Sequence, residues 1–166
     1  MFLKLFKIII LLVITTPVLS QEKIVFLDLD FLFKNSIKGK NIQQELENID
    51  LNNVNILKEK ENELKLEENQ ILSQKNILSD EAYNEKINNF KKKLNYFRLE
   101  KDKLVKNFDK TQKTKINEFM LEINEIVEEY VEKKSIDLVL NKKHILMGKN
   151  NYNITNEIMV ILNSRE

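Results

Sequence analysis

The sequence predicts an α+β fold that is mostly α: a long antiparallel coiled-coil hairpin arm projecting from a small β-containing head that oligomerises. Three observations predict it. Two heptad-spaced apolar series flank one short break. Short β-rich segments lie near both ends of the chain. Glycine and proline are scarce, two and one in 166 residues, and 32% of residues are charged, which suits long helices and excludes a loop-rich or all-β fold.

The first twenty residues read as a separate object. Lys4 and Lys7 supply a positive n-region, Ile8 to Ile14 is an unbroken apolar run, and Thr15-Thr16-Pro17 ends it. Val18-Leu19-Ser20 suits a cut before Gln21, so residues 1–20 are expected to be a cleaved secretory signal peptide. A permanent membrane anchor needs about 20 apolar residues, more than this run offers. The chain is therefore expected to be exported. Cleavage removes two lysines and no acid, which takes the formal charge from +1 to −1. A globally basic surface for nucleic acid is absent, and no nucleic-acid partner is expected. With no cysteine, neither disulfides nor thiol chemistry is available.

The mature chain opens with Lys23 to Asp30, whose β-branched and aromatic residues predict a strand. Phe31-Leu32-Phe33 continues as a short helix towards Ser36, and Gly39 marks a kink. The first arm helix is expected over about residues 41–78. Ile42, Ile49 and Ile56 form one seven-residue series, and Leu57, Leu64, Ile71 and Leu78 the next. The seam therefore drifts by one residue at Ile56-Leu57, a local phase shift. Asn53, Glu68 and Lys75 occupy intervening positions and leave the seam loosely sealed. Ser79 or Asp80 caps the second helix, expected over 80–134, with Tyr83, Phe90, Phe97 and Leu104 on its seam and a phase slip after Phe108. At 1.5 Å per residue the two helices span roughly 57 and 82 Å. The surplus apolar end of the longer one, Ile116 to Tyr130, is expected to pack into the head.

After it, Ile136–Leu140 reads as a strand, Asn141–Lys143 as a turn and His144–Met147 as a returning strand. Thr155 is expected to cap a last helix over Asn156–Asn163. The organisation is thus a head of residues 21–40 and 116–166, an arm of 41–115, and a tip near 78–82. So small a core is marginal alone, and its few strands leave open edges, which together predict oligomerisation. Ile24, Phe26, Leu138 and Leu140 are the candidate oligomer core.

Both ends resemble the Skp (OmpH-like) family of periplasmic chaperones. "KIVFLDLDFLFKNSIKGK" is similar to that family's opening strand and short helix, with Asp28 after the apolar run, then Ser36 and Gly39-Lys40. "IDLVLNKKHILMG" resembles its strand pair and "NITNEIMVILN" its closing helix. The resemblance spans about residues 22–163. It implies a homotrimer whose arms enclose a cavity, and an ATP-independent holdase for unfolded outer-membrane proteins. The departure is charge: many members are basic, and this mature chain is near neutral.

Charge is nevertheless unevenly placed. Residues 86–115 carry eleven cations against Glu100, Asp102 and Asp109, a net +8, while residues 41–78 carry a net −4. Two readings stand side by side: pairing between the antiparallel helices plus a solvated face, and a cationic second helix that attracts acidic clients or anionic lipid. Lys91, Lys92, Lys93, Tyr96, Arg98, Lys103 and Lys106 are the candidate client-binding residues, Tyr96 because it lies off the seam.

Catalysis is not expected. His144 is the single histidine, without a second ligand, so no metal is assigned. Asp28 and Asp30 lack an acid–base partner, and Asp28 reads as a helix cap. No phosphate-cradling glycine motif exists, and no cofactor is expected. Asn153-Ile154-Thr155 matches a glycosylation acceptor and reads here as the start of the last helix. The competing reading is an exported coiled-coil spacer or adaptor that binds a folded partner through the tip near Leu78 to Ala82.

Overall fold

The computed structural model describes residues 22–166; the signal-peptide expectation falls outside the described residues. The elements are β1 (Ile24–Leu27), α1 (Leu29–Asn35), α2 (Ile37–Ser73), α3 (Asp80–Lys134), β2 (Leu138–Asn141) and α4 (Thr155–Ser164), with 3-10 turns at Lys142–His144 and Asn150–Tyr152. The fold is mostly helical, with a small strand pair at one end of two long antiparallel helices.

Local chemistry sets the first corner. β1 stops at Asp28, whose carboxylate accepts from Phe31 N at 2.9 Å and caps α1. α1 ends at the buried Ser36, whose hydroxyl accepts from Gly39 N at 3.0 Å and caps α2. The corner therefore lies at Ser36, and Gly39 is not the kink. Gly39 sits in the first turn of α2 because a Cβ there would stand 1.9 Å from the Phe33 carbonyl oxygen. It supplies close approach between α1 and α2, with no positive φ.

α2 stops at Ser73, short of Leu78. Its last turn tightens, with Gln74 N donating to Ile71 O at 3.1 Å, and the chain turns before Ser79. The apolar heptad continues to Leu78 although the helix does not. α3 starts where Ser79 Oγ accepts from Ala82 N at 3.3 Å, and Asp80 and Glu81 complement the dipole of its first turn. It ends at Ser135, the one non-glycine residue with positive φ (48°) among the described residues.

The hairpin seam alternates apolar and polar layers. Seven-residue steps along α2, from Lys60 to Glu67 to Gln74, match equal steps back along α3, from Glu100 to Lys93 to Lys86. Nearer the base, Lys38 pairs with Glu122 and Glu45 with Lys115. Between Glu45 and Lys60 both helices carry one residue beyond two heptads, so the phase shift expected at Ile56-Leu57 is shared by its partner. A one-heptad slip would bring Lys60 against Lys93 or Glu67 against Glu100. The polar layers thus fix register more than they add stability.

The main core lies at the base. Leu32, Phe119, Ile123, Ile126, Ile158 and Leu162 are fully buried there with Val25 and Leu27. Each such side chain contributes about 1.5–3 kcal/mol. Phe33 meets Phe119 edge-on at 5.2 Å. The apolar end of α3 thus packs between α1, α4 and the start of α2.

The C-terminal strand pairing differs from the expected hairpin. β2 runs parallel to β1, with Ile24 opposite Leu138 and Phe26 opposite Leu140. No returning strand forms over His144–Met147. Asn141 Oδ1 accepts from Lys143 N at 3.1 Å, which bends the chain into the 3-10 turn that Ile145 N closes on Lys142 O. The far edge of β1 receives Ile154 N on Phe26 O at 3.0 Å. Thr155 is the first residue of α4, not its side-chain cap. Its Oγ1 accepts from Asp28 N at 2.9 Å, and Asn153 Oδ1 accepts from Thr155 N.

Candidate functional site

Two surfaces stand out: the outer face of the two-stranded sheet and the flanks of the hairpin. Alternation along a strand puts Val25 and Leu27 into the core and Ile24 and Phe26 on the other side. The parallel register adds Leu138 and Leu140 to that outer side. All four candidate oligomer-core residues therefore share one face, turned away from the helices. Ile24, Leu138 and Leu140 are 39, 47 and 38% exposed. Phe26 differs, being buried in its own chain, with Gly148 close over its ring. Beside it lies an open cleft of about 310 Å³ lined by Ile24, Phe26, Leu140, Ile145, Met147 and Tyr152. Leu146 and Met147 project almost completely into solvent at its rim, an exposure that a returning strand would not have suggested.

Asp28 ties the base together. Lys142 Nζ donates to its Oδ2 at 2.8 Å and Phe31 N to Oδ1. The lysine hydrogen bond first, and the backbone N–H second, hold this carboxyl below the usual carboxylate range against a smaller effect of burial. On the hairpin, the Glu122 hydrogen bond raises Lys38, and the Glu45 hydrogen bond raises Lys115. Burial raises the Tyr130 hydroxyl. The Asp28–Lys142, Lys38–Glu122 and Lys115–Glu45 contacts are ion pairs that tie neighbouring elements together.

The candidate client-binding residues divide. Lys93 donates to Glu67 at 2.7 and 2.8 Å and belongs to the seam. Lys91, Lys92, Tyr96, Arg98, Lys103 and Lys106 are exposed, and none of their charges enters an ion pair among the described residues. Lys92, Tyr96, Lys103 and Lys106 fall on one row of α3 opposite its buried side, while Lys91 and Arg98 turn off to its flank. Leu99, Lys110 and Lys113 complete that row and were absent from the sequence-derived set. Their alternating steps of three and four from Lys92 are the signal that finds them. Tyr96 is 77% exposed and lines an open hollow with Leu99 and Lys103. Among the described residues, no helix is long and apolar enough to cross a membrane.

A family model described as Outer membrane protein (OmpH-like) matches residues 23–162, from the first strand into the last helix. The chain belongs to the OmpH-like family. No curated protein sequence matches it. A crystal structure from Caulobacter crescentus CB15, whose description classes it as an OmpH-like outer membrane chaperone, superposes with a TM-score of 0.82 at 14% identity, covering 89% of this chain and 87% of that one. At that identity the likeness shows a shared fold. The OmpH-like match covers both ends as well as the hairpin between them, so the parallel strand pair lies within the family's span.

Proposed function

We propose that this OmpH-like protein is an ATP-independent periplasmic holdase that binds unfolded outer-membrane proteins between helical arms and prevents their aggregation. The observation that carries the reading is the family match across residues 23–162, taken with an N-terminus that reads as a secretory signal. The described class of the Caulobacter structure agrees with it. In this reading residues 21–40 and 116–166 form the head, and three copies associate through Ile24, Leu138, Leu140 and the cleft beside Phe26. Residues 41–115 form the arm. Exposed lysines of α3, with Tyr96 and Leu99, contact acidic and aromatic stretches of the client. Charge attraction brings clients in from a distance, and many weak contacts let them go.

The test is co-elution. A urea-unfolded outer-membrane β-barrel, diluted into the mature protein, should run with it as one soluble species. A barrel that pellets while the protein elutes alone would overturn the reading.

A spacer or adaptor is the second reading, favoured by one feature. Leu72 and Ile77 at the hairpin turn are 55 and 80% exposed. Ile77→Asp that abolishes capture of a folded partner, with client co-elution intact, would favour it.

A further inference from the structure

Some of the charges that the hairpin does not use internally fall on two flanks. On α3, Lys92, Lys103, Lys106, Lys110 and Lys113 form one row, with Tyr96 and Leu99 in the two positions between Lys92 and Lys103. Steps of three and four drift only about 20° per heptad, so the row stays straight for about 32 Å. It lies on the side of α3 opposite buried Phe90 and half-buried Phe97 and Phe108, and every member is exposed. On α2, Glu47, Asp50, Glu61 and Glu68 share an exposed flank with Lys58 and Lys65, which leaves that flank net acidic. None of these eleven charges enters an ion pair among the described residues.

The two rows cannot meet within one arm, because α2 covers the opposite side of α3. Complementary surfaces on different sides of one body make a head-to-tail contact, which gives a ring where the rotation between copies closes, as a shared head would impose. The intra-arm pairs Lys38–Glu122, Glu45–Lys115 and Glu67–Lys93 set the heights. In two copies standing side by side, Glu47 is level with Lys113, Asp50 with Lys110 and Glu68 with Lys92. Lys65 comes level with the exposed ring of Tyr96, where a cation–π contact can form. Lys58 opposite Lys103 is the one like-charge meeting.

We propose that neighbouring arms of the oligomer close edge to edge, the acidic flank of α2 in one copy against the lysine row on α3 of the next. This rests on the head association proposed above. A common head holds the arms at an effective concentration of about millimolar, so pairs too weak to associate free copies can still close tethered ones. Closed arms shut the gaps by which a client enters. An acidic client segment competes with the α2 flank for the same lysines and opens them, so capture and opening become one event.

The cysteine-free chain permits a direct test. In the full mature protein carrying Glu68→Cys and Lys92→Cys, mild oxidation at low salt should give covalent multimers on a non-reducing gel. Their yield should fall several-fold at about 1 M salt, where the screening length is about 3 Å. Lys113→Glu in that background should lower the yield, and Glu47→Lys added to it should restore it. No intermolecular disulfide in a protein of oligomeric mass overturns arm closure and leaves the head reading standing. A monomeric mass overturns both. Cross-linking indifferent to salt and to the charge swap overturns the pairing of these rows.

Discussion

Gly39→Ala sets two effects of opposite sign against each other. In an ordinary helix interior the change stabilises by about 1 kcal/mol, because glycine is the poorer helix former. Here the new Cβ would stand 1.9 Å from Phe33 O, 2.7 Å from Phe33 C and 2.9 Å from Ser36 Oγ. Ordinary contact begins near 3.4 Å, so the carbonyl would have to retreat by about 1.5 Å. It is not free to do so. Gln43 Nε2 donates to that oxygen at 2.9 Å, and the ring of the same residue packs edge-on against buried Phe119. Overpacking against backbone costs about 3 kcal/mol at the upper end of the usual range. The net is a loss of about 2 kcal/mol. At about 2–4 °C per kcal/mol for a chain of this size, Tm should fall by about 4–8 °C. The assay is thermal unfolding by circular dichroism, with both proteins at one concentration because association shifts Tm. An unchanged or higher Tm would refute the close-approach argument and return Gly39 to an ordinary helix position.

Three further outcomes are expected. Ser135→Gly should raise stability by about 1 kcal/mol, read as a higher Tm, since Ser135 holds φ 48° at the end of α3 and glycine adopts that conformation freely. Asp28 has a folded pKa below its ordinary 3.8, so its contribution is complete above that value and is lost as pH falls through the folded pKa; the stability gap between wild type and Asp28→Asn, measured by urea unfolding, should narrow below about pH 4, and a gap constant with pH would contradict the Lys142 contact. Leu138→Asp should lower the solution mass to that of one chain with helicity intact, because Leu138 is 47% exposed within its own chain. Phe26→Asp would be a poorer probe, since Phe26 is buried before any association.

Where periodicity and caps agreed, the sequence read well. The expected bounds of the second long helix coincide with Asp80–Lys134, because Ser79 offers its hydroxyl to the first turn and the apolar series, although it slips phase after Phe108, resumes at Ile116 and reaches the base. The shift at Ile56-Leu57 was legible because one extra residue displaces every later seam position. The end of α2 was misplaced because Leu78 keeps the heptad spacing after the backbone has left the helix. The parallel sheet was invisible for a different reason. β1 and β2 are separated by the whole hairpin, and nothing near Leu138 signals a partner at Ile24. Adjacency favoured a local hairpin, whereas Asn141 turns the chain instead. The outer sheet face was nonetheless legible, since alternation selects Ile24, Phe26, Leu138 and Leu140 whichever strand they pair with. Individual lysines drew attention by charge density, and their sorting into seam and row required the partner helix.

We propose that this OmpH-like protein keeps unfolded outer-membrane proteins soluble without nucleotide. Light scattering of a urea-unfolded outer-membrane β-barrel, diluted into buffer with the mature protein and no ATP, tests it most directly. Scattering should fall as protein is added and vanish once oligomer matches client. Scattering unchanged at every ratio would contradict it.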